Sequence, residues 1–330
     1  MAALSKSELL AIVEQAISAS GWNLIHISDE HPFRLHIYDG EDSYRIRIYI
    51  WNITSGGRNR PANEYRIQIT GFDHFDAEIG GKTLILGWWA EAGVFAGFDF
   101  ARHSGRLGSS PSFQIREAYL RAAYEHGFSP CLKDNQEIAL AFRPEMFVEY
   151  IQNLEVLHGF GDSPADLAVL DAVSVDPYTA NVGDFRNISE TRRVVVSSVQ
   201  RRLRSSTFRA KVLAVYNQQC AFCGLQLGLV QAAHVLPVSH EESTDDTHNG
   251  VAACYLHHAA YDKSLITFDQ YYKTHVNDAQ MRDFQETNRY GQADRFVRDI
   301  RPLIILPPAI TDRPHARLVE AANQVRGWIL

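Results

Sequence analysis

Alternation of polar and apolar positions dominates the first half of the chain. HPFRLHIYDG and DSYRIRIYIWNI switch at period two, and EYRIQITGF, KTLILGWWA and GVFAGFDF continue the pattern. Period two predicts strands with one face toward a core. A helix over about residues 5–19 leads into them. SFQIREAYLRAAYEHGF begins as a strand end and becomes a helix, EIALAFRP is a further strand, and EMFVEYIQNLEVLHGF closes the region as a helix. Some six strands in hairpin order, flanked by helices, predict an α+β domain over residues 1–157 with a mostly antiparallel, twisted or barrel-like sheet. Residues 158–187 are rich in Gly, Pro, Asp and Asn and lack periodicity, and they read as a linker. Residues 188–330 form the second domain. Val194, Val195, Val199 and Leu203 make one apolar face and Phe208, Val212, Leu213 and Tyr216 another, which predicts two short helices. Further on, SLITFDQYYKTHVN reads as a strand pair, DAQMRDFQETNRY as a helix, RPLIILPP as a strand broken by proline, and RPHARLVEAANQVRGWIL as a closing helix.

Length agrees with two domains, since 330 residues exceed the usual size of one. Hydrophobic content of 45% is that of a globular chain. No apolar run reaches the roughly eighteen residues of a membrane span. The N-terminal segment MAALSKSELLAIVEQAISAS is an amphipathic helix with acids and lacks the regions of a signal peptide. Four cysteines, three of them in one short stretch, suit a reducing cytoplasm.

Charge changes the picture locally. The chain carries −7, which by itself would not suggest a nucleic-acid partner. Residues 191–220, however, hold Arg192, Arg193, Arg201, Arg202, Arg204, Arg209 and Lys211 and no acid, so the remainder carries −14. Such a concentration suits contact with DNA phosphates. Two loops of the first domain repeat the theme on a smaller scale. SGGRNRPANEYR carries Arg58, Arg60 and Arg66, and FDFARHSGRLGSSPSFQ carries Arg102, His103 and Arg106. Trp51, Trp88 and Trp89 are candidates for stacking on a flipped base, although aromatics on alternating strands usually belong to the core.

The densest chemistry lies in CAFCGLQLGLVQAAHVLPVSHEESTDDTHNGVAACYLHHAAYD, residues 220–262. Cys220 and Cys223 form a C-x-x-C pair, and Cys254 and His257 a C-x-x-H pair. Short spacings let each pair converge on one tetrahedral ion, so the set predicts a structural Zn²⁺. His234 lies in a strand-like apolar run, Asn249 precedes a glycine, and His258 and Asp262 stand four apart on a predicted helix. His257 and His258 differ by about 100° around that helix, so one can face a metal and the other a reaction site. Strand histidine, loop asparagine and helix histidine suit metal-assisted hydrolysis of a phosphodiester. His240 and His248, in the intervening loop, read as ordinary surface residues.

The segment resembles the HNH nuclease family with its ββα-metal fold, and most of all members with an AH-I/V-x-P strand and an LHH-x-x-Y/F-D helix. The resemblance covers roughly residues 188–275. It implies that His234 is the general base, Asn249 a positioning residue and His258 a ligand to a catalytic Mg²⁺ or other divalent cation. Asp262 stands where some members carry a second helix ligand. Many members also have Asp or His as a ligand immediately before the base. Ala233 stands there here, so that ligand must come from elsewhere, Asp262 or His234 itself. The architecture of an N-terminal reader followed by an HNH unit resembles restriction endonucleases, including modification-dependent McrA-like ones. It implies double-stranded DNA as the partner. The closing helix ends in apolar residues and is a candidate for the contact of a homodimer, which a nuclease needs to cut both strands at once. A zinc-stabilised DNA-binding module without cleavage and an RNA-directed nuclease are the alternatives.

Overall fold

The computed structural model describes residues 3–56, 61, 63–180 and 188–330. Its packing divides the chain into two units, Met1–Leu203 and Arg204–Leu330. Arg58 and Arg60 lie outside the described residues.

Helix α1 (Lys6–Ala19) opens the first unit. Ser5 and Glu8 close a reciprocal capping box, which satisfies N–H groups that a helix start leaves unpaired. Leu9, Leu10, Val13, Ala16 and Ile17 give it one buried stripe. Ten strands follow: β1 (Asn23–Ser28), β2 (Phe33–Tyr38), β3 (Ser43–Asn52), β4 (Thr54–Ser55), β5 (Glu64–Gln68), β6 (Lys82–Trp89), β7 (Val94–Phe98), β8 (Ser112–Arg116), β9 (Phe128–Leu132) and β10 (Ile138–Phe142). Helix α2 (Glu117–His126) lies between β8 and β9. Among the described residues the main sheet has seven strands in the order β1-β2-β3-β6-β7-β10-β9, and β4-β5-β8 form a second sheet of three. Pairing is antiparallel except between β3 and β6, which run parallel from Ile46↔Lys82 to Asn52↔Trp88. That pairing departs from the expected hairpin order. It requires the chain to leave the sheet after β3, which the β4–β5 excursion does.

The main sheet is buried on both faces. Leu84, Leu86 and Trp88 of β6 point into the core shared with α1, while Ile85 and Trp89 point into the one shared with β5, β8 and α2. Strand β10 divides in the same way, Ile138, Leu140 and Phe142 against Ala139 and Ala141. Two-faced burial explains why KTLILGWW and IALAF are nearly unbroken apolar runs. It also decides the tryptophans. Trp51, Trp88 and Trp89 are 6%, 8% and 2% exposed, so they are core side chains and do not offer a stacking surface for a base.

Helices α3 (Phe147–Gln152), α4 (Leu154–His158) and α5 (Pro164–Val175) follow. The expected linker is therefore partly structured. Ser163 caps α5, and Leu170 and Val173 are buried in the first unit. Helix α6 (Glu190–Val215) is continuous where two helices were expected. Val195, Val196, Val199 and Leu203 belong to the first unit's core, and Phe208, Val212 and Leu213 to the second's. The boundary between units thus falls inside α6 and not over 158–187.

The second unit is built on a hairpin, β11 (Val230–His234) and β12 (Gly250–Cys254), with α7 (Tyr255–Asp262) following directly. The expected strand pair is β13 (Ile266–Phe268) with β14 (Thr274–Val276), antiparallel. Helices α8 (Asp278–Glu286), α9 (Ala293–Asp299) and α10 (Ala316–Val325) complete the unit. RPLIILPP is not a strand, and only an isolated bridge joins Leu303 to Lys273. The architecture is α+β throughout. No helix among the described residues is long and apolar enough to cross a membrane.

Candidate active site and metal centre

The two ends of the β11–β12 hairpin carry different chemistry. The register runs from Val230↔Cys254 to His234↔Gly250, so Cys254 marks one end and His234 the other.

At the first end, Cys254 caps α7 and His257 comes round one turn later. Cys220 and Cys223 lie in the turn after α6, which is closed by Cys220 N–H to Leu225 O (2.8 Å) and Gly224 N–H to Cys220 O (2.8 Å). The Ala221 N–H bonds to Ala252 O at 2.7 Å and so fixes this turn against β12. The four side chains bring their donor atoms within 4.8 Å of one another. Bonds of about 2.3 Å to sulfur and about 2.0 Å to nitrogen imply tetrahedral edges of roughly 3.8 Å between sulfurs and roughly 3.6 Å between sulfur and nitrogen. Cys223 Sγ lies 4.0 Å from Cys254 Sγ, and His257 Nδ1 lies 3.6 Å from Cys220 Sγ and 3.2 Å from Cys254 Sγ. The cluster therefore has the dimensions of a metal cage. Burial pushes the Cys220 thiol up, but the hydrogen bond from His257 and backbone N–H groups outweigh it and bring the thiol down to about 6. Burial drives Cys223 up to about 12. Three thiolates cannot share this volume without a cation, and a metal such as zinc fits the three sulfurs and one nitrogen. His257 is 2% exposed, and its Nε2 has no hydrogen-bond partner among the described residues, which leaves Nδ1 as the ligand atom.

At the other end, Asn249 is completely buried and holds a loop together. Its Oδ1 accepts from Leu236 N–H (2.8 Å), and its Nδ2 donates to Leu236 O (3.3 Å), Ser243 Oγ (3.1 Å) and Thr244 O (2.9 Å). Val235 N–H bonds to Asn249 O at 2.8 Å, which joins the end of β11 to the start of β12. The next residue must be glycine. A Cβ at Gly250 would collide with Val212 and lie 3.3 Å from Phe208 Cε2. Its absence lets α6 approach, and Phe208 stacks on the His234 ring at 3.8 Å between centroids, with the planes 10° apart.

His234 itself is bonded through Nε2 to Asp245 Oδ1 at 2.9 Å. Arg204 binds Asp245 Oδ2 through Nε and Nη2, both at 2.8 Å. The hydrogen bond from His234, joined by Arg204, holds the Asp245 carboxyl below the usual carboxylate range against the opposing pull of burial. On α7, His258 Nδ1 lies 2.7 Å from Gln231 Oε1, and its Nε2 lies 3.3 Å from Asp262 Oδ2. With Nδ1–H given to the glutamine, the Nε2 lone pair is the free donor. His258 and Asp262 thus offer two adjacent metal donors, and water or phosphate oxygens would complete the shell. Ala233, 3% exposed, supplies none. Among the described residues, the Cys220–Cys223–Cys254–His257 set is the one group of three or more convergent His, Cys, Asp or Glu donors.

The basic run divides on inspection. Arg192 pairs with Asp166 and also bonds to Gly159 O. Arg202 donates to Glu145 O at 2.8 Å, and Arg204 is held by Asp245. These three are engaged inside the protein, so the sequence overstated the charge offered to a partner. Arg193, Arg201, Arg209 and Lys211 are exposed. In the first unit, Arg102 donates to Asn135 O (3.1 Å) and faces Asp99 and Asp162. Arg106 is exposed and lines an open cleft of about 670 Å³ with Phe72, Asp73, Ser109 and Ser110. Asp245 and Gln231 were not singled out by sequence, and Phe208 was read only as part of an apolar helix face. Asp245 sits in an acidic loop whose spacing gives no sign of which acid turns inward.

Residues 220–269 match a family described as HNH endonuclease. Residues 44–151, which include most of the main sheet, match one described as Methylase-associated X1. No curated protein matches the chain.

Proposed function

Since the chain carries an HNH endonuclease domain over residues 220–269, we propose that it is a metal-dependent DNA endonuclease of a restriction system. The observation that carries this reading is the ββα unit itself, in which His234 ends β11, the buried Asn249 precedes β12, and the His258–Asp262 pair stands on the helix that follows β12. His234 takes a proton from a water molecule, and the resulting hydroxide attacks phosphorus. One P–O bond forms, the bond to the leaving oxygen breaks, and that oxygen gains a proton from solvent. Asn249 is a positioning residue that fixes the loop from Leu236 to Thr244. His258 and Asp262 would hold a Mg²⁺ or other divalent ion, which supplies stabilisation of negative charge on the phosphate when bound. Cys220, Cys223, Cys254 and His257 would hold a structural zinc, and a reducing cytoplasm keeps these thiols available for it. Arg193, Arg201, Arg209 and Lys211 on α6 are the candidates for phosphate contacts.

The match described as methylase-associated supports a restriction role and makes the first unit the candidate for DNA recognition, with Arg106 at its cleft. Cutting both strands calls for two nuclease units, hence a homodimer on double-stranded DNA. Sedimentation showing only monomers on DNA argues against that. Ala233 favours the second reading, a DNA-binding module without cleavage.

The test is cleavage by wild type and His234→Ala of unmodified plasmid, modified plasmid and single-stranded RNA, in Mg²⁺, Mn²⁺ or EDTA. Metal-dependent cutting of DNA that falls by ~10³-fold or more in His234→Ala is expected. Preference for modified plasmid would make the first unit a modification reader. Retained binding with no cleavage of any substrate would leave the binding module, and cleavage of RNA alone would leave an RNA nuclease.

A further inference from the structure

We infer that Asp245 is a positioning residue for His234, holding Nε2–H so that Nδ1 is the nitrogen that receives the proton from water. The inference rests on the nuclease reading above. Four observations converge on it. The first is the 2.9 Å bond between His234 Nε2 and Asp245 Oδ1. The second is that the carboxylate cannot swing away. Its side chain is 9% exposed, and its other oxygen is occupied by Arg204 Nε and Nη2. The third is the Phe208 ring, which covers one face of the imidazole almost in parallel. Arg204 and Phe208 stand four apart on α6, so one face of that helix carries both the clamp and the stacking surface. The fourth is Asn249, whose Nδ2 bonds to Thr244 O at 2.9 Å and thereby anchors the residue preceding Asp245.

An imidazole bonded at one nitrogen and stacked on one face has one nitrogen left for chemistry. Among the described residues, Nδ1 of His234 carries no hydrogen bond, and the side chain is 18% exposed. In the reaction, Nδ1 takes the water proton and later releases it to solvent. Asp245 stays ionised throughout and stabilises the imidazolium, as the orienting carboxylate does in other acid–base triads. Arg204, counted among the DNA-contacting cations by sequence, acts here through Asp245.

Two readouts test this on the full-length protein. The first uses no activity. Nitrogen-15 spectra of the imidazoles, with His234 assigned by its loss in His234→Gln, should show a hydrogen-bonded Nε2–H in the wild type that disappears in Asp245→Ala. A neutral His234 protonated at Nδ1 overturns the inference. The second is single-turnover cleavage at saturating DNA, measured beside DNA affinity. Asp245→Ala should lose ~10²-fold or more in rate while affinity changes less than ~2-fold. Asp245→Asn is isosteric, serves if the alanine variant does not fold, and should also lose rate, because its amide oxygen goes to Arg204 and its NH2 then faces His234 Nε2 and favours the wrong tautomer. An unchanged rate, or parallel losses in rate and affinity, would mean a merely structural ion pair. Rescue of Asp245→Ala by raised Mg²⁺ would make Asp245 a cation ligand and overturn the inference as well. A wild type that cuts no nucleic acid removes the nuclease reading and with it the catalytic use of the pair. The spectra still say whether the pair itself exists.

Discussion

The two units hold their folds together in different ways. The first buries a sheet of seven strands on both faces, with one core against α1 and another against β5, β8 and α2. The second has a two-stranded hairpin, with a thiol–imidazole cluster at one end and a polar network at the other. An isolated hairpin is marginal in water. The second unit adds to its own apolar core, around Phe222, Val251 and Tyr261, a set of buried hydrogen bonds and a cluster that could hold a metal. The comparison explains where the chemistry lies. In the second unit the polar side chains of Asn249, Asp245 and His234 hold one another and the loop between the hairpin strands, whereas the first unit turns even its tryptophans inward.

Removing the metal should break the comparison most severely. Structural zinc contributes on the order of 10 kcal/mol to folding in small domains. Chelation at neutral pH, or Cys220→Ala, should unfold the second unit and leave the first intact. Hydrogen exchange read by mass spectrometry should show β11, β12 and α7 losing protection while β3, β6 and β10 keep theirs. Equal protection of both units after chelation would refute the zinc assignment. His234→Ala, by contrast, should leave protection unchanged everywhere.

Acid should separate the units next. Protons compete with the metal for thiolates and imidazole, so the second unit should fail as pH falls below about 5–6. In the first unit, Glu137 opposes this trend. Burial pushes its carboxyl up, but the hydrogen bond from His103 and the charge of Lys133 outweigh burial and bring it down to about 2. A depressed carboxylate contributes stability that is present above the unfolded value near 4.5 and is lost only as pH falls through the folded one. Segment-resolved exchange during an acid titration should therefore show the second unit opening first. The reverse order would mean that the first unit's ionic cluster is weaker than its geometry implies.

Much of this difference was legible in the sequence, and its limits are physical. Strand β2 alternates in register with its burial throughout, and β3 does so as far as Ile48, so period two found them. The parallel pairing of β3 with β6 left no local trace, because it is fixed by chain excursion and not by residue type. Helix α6 was read as two helices because its stripe steps by four from Val195 to Val199 to Leu203 and then by five to Phe208. That slip in phase marks the change of core, not a break in the helix. The cluster that could hold a metal was legible because its four donors stand in C-x-x-C and C-x-x-H pairs, spacings that let each pair converge. Asp245 was not. Its partners, Arg204 and His234, are far from it in sequence, and nothing in a run of polar residues selects the acid that turns inward.

A finer test lies within the polar network. Asn249→Ala would leave the buried Leu236 N–H and Thr244 O without their partner, a loss of about 3 kcal/mol by the cost of unsatisfied buried groups. Denaturant unfolding of the second unit should show it, and cleavage should fall with it, since the loop from Leu236 to Asp245 is released. A loss of stability below about 1 kcal/mol would mean that the loop is held by other contacts.

The smallest effect should come from one methyl group. Gly250 lies opposite His234 with an ordinary extended backbone, so its role is space and not conformation. In Gly250→Ala the new Cβ meets Val212, whose side chain is fully buried, and presses on Phe208. Overpacking of this kind costs about 1–3 kcal/mol. Helix α6 can relieve it only by moving outward, which lifts Phe208 from the imidazole and draws Arg204 from Asp245. Cleavage should then fall by more than the loss of folded protein accounts for, while zinc content stays unchanged because the cluster lies at the opposite end of the hairpin. Replacing Val212 by alanine in the same chain removes the colliding methyl groups and should restore both the stacking and the rate. Failure of that second change to restore the rate would show that the glycine serves something other than the approach of α6.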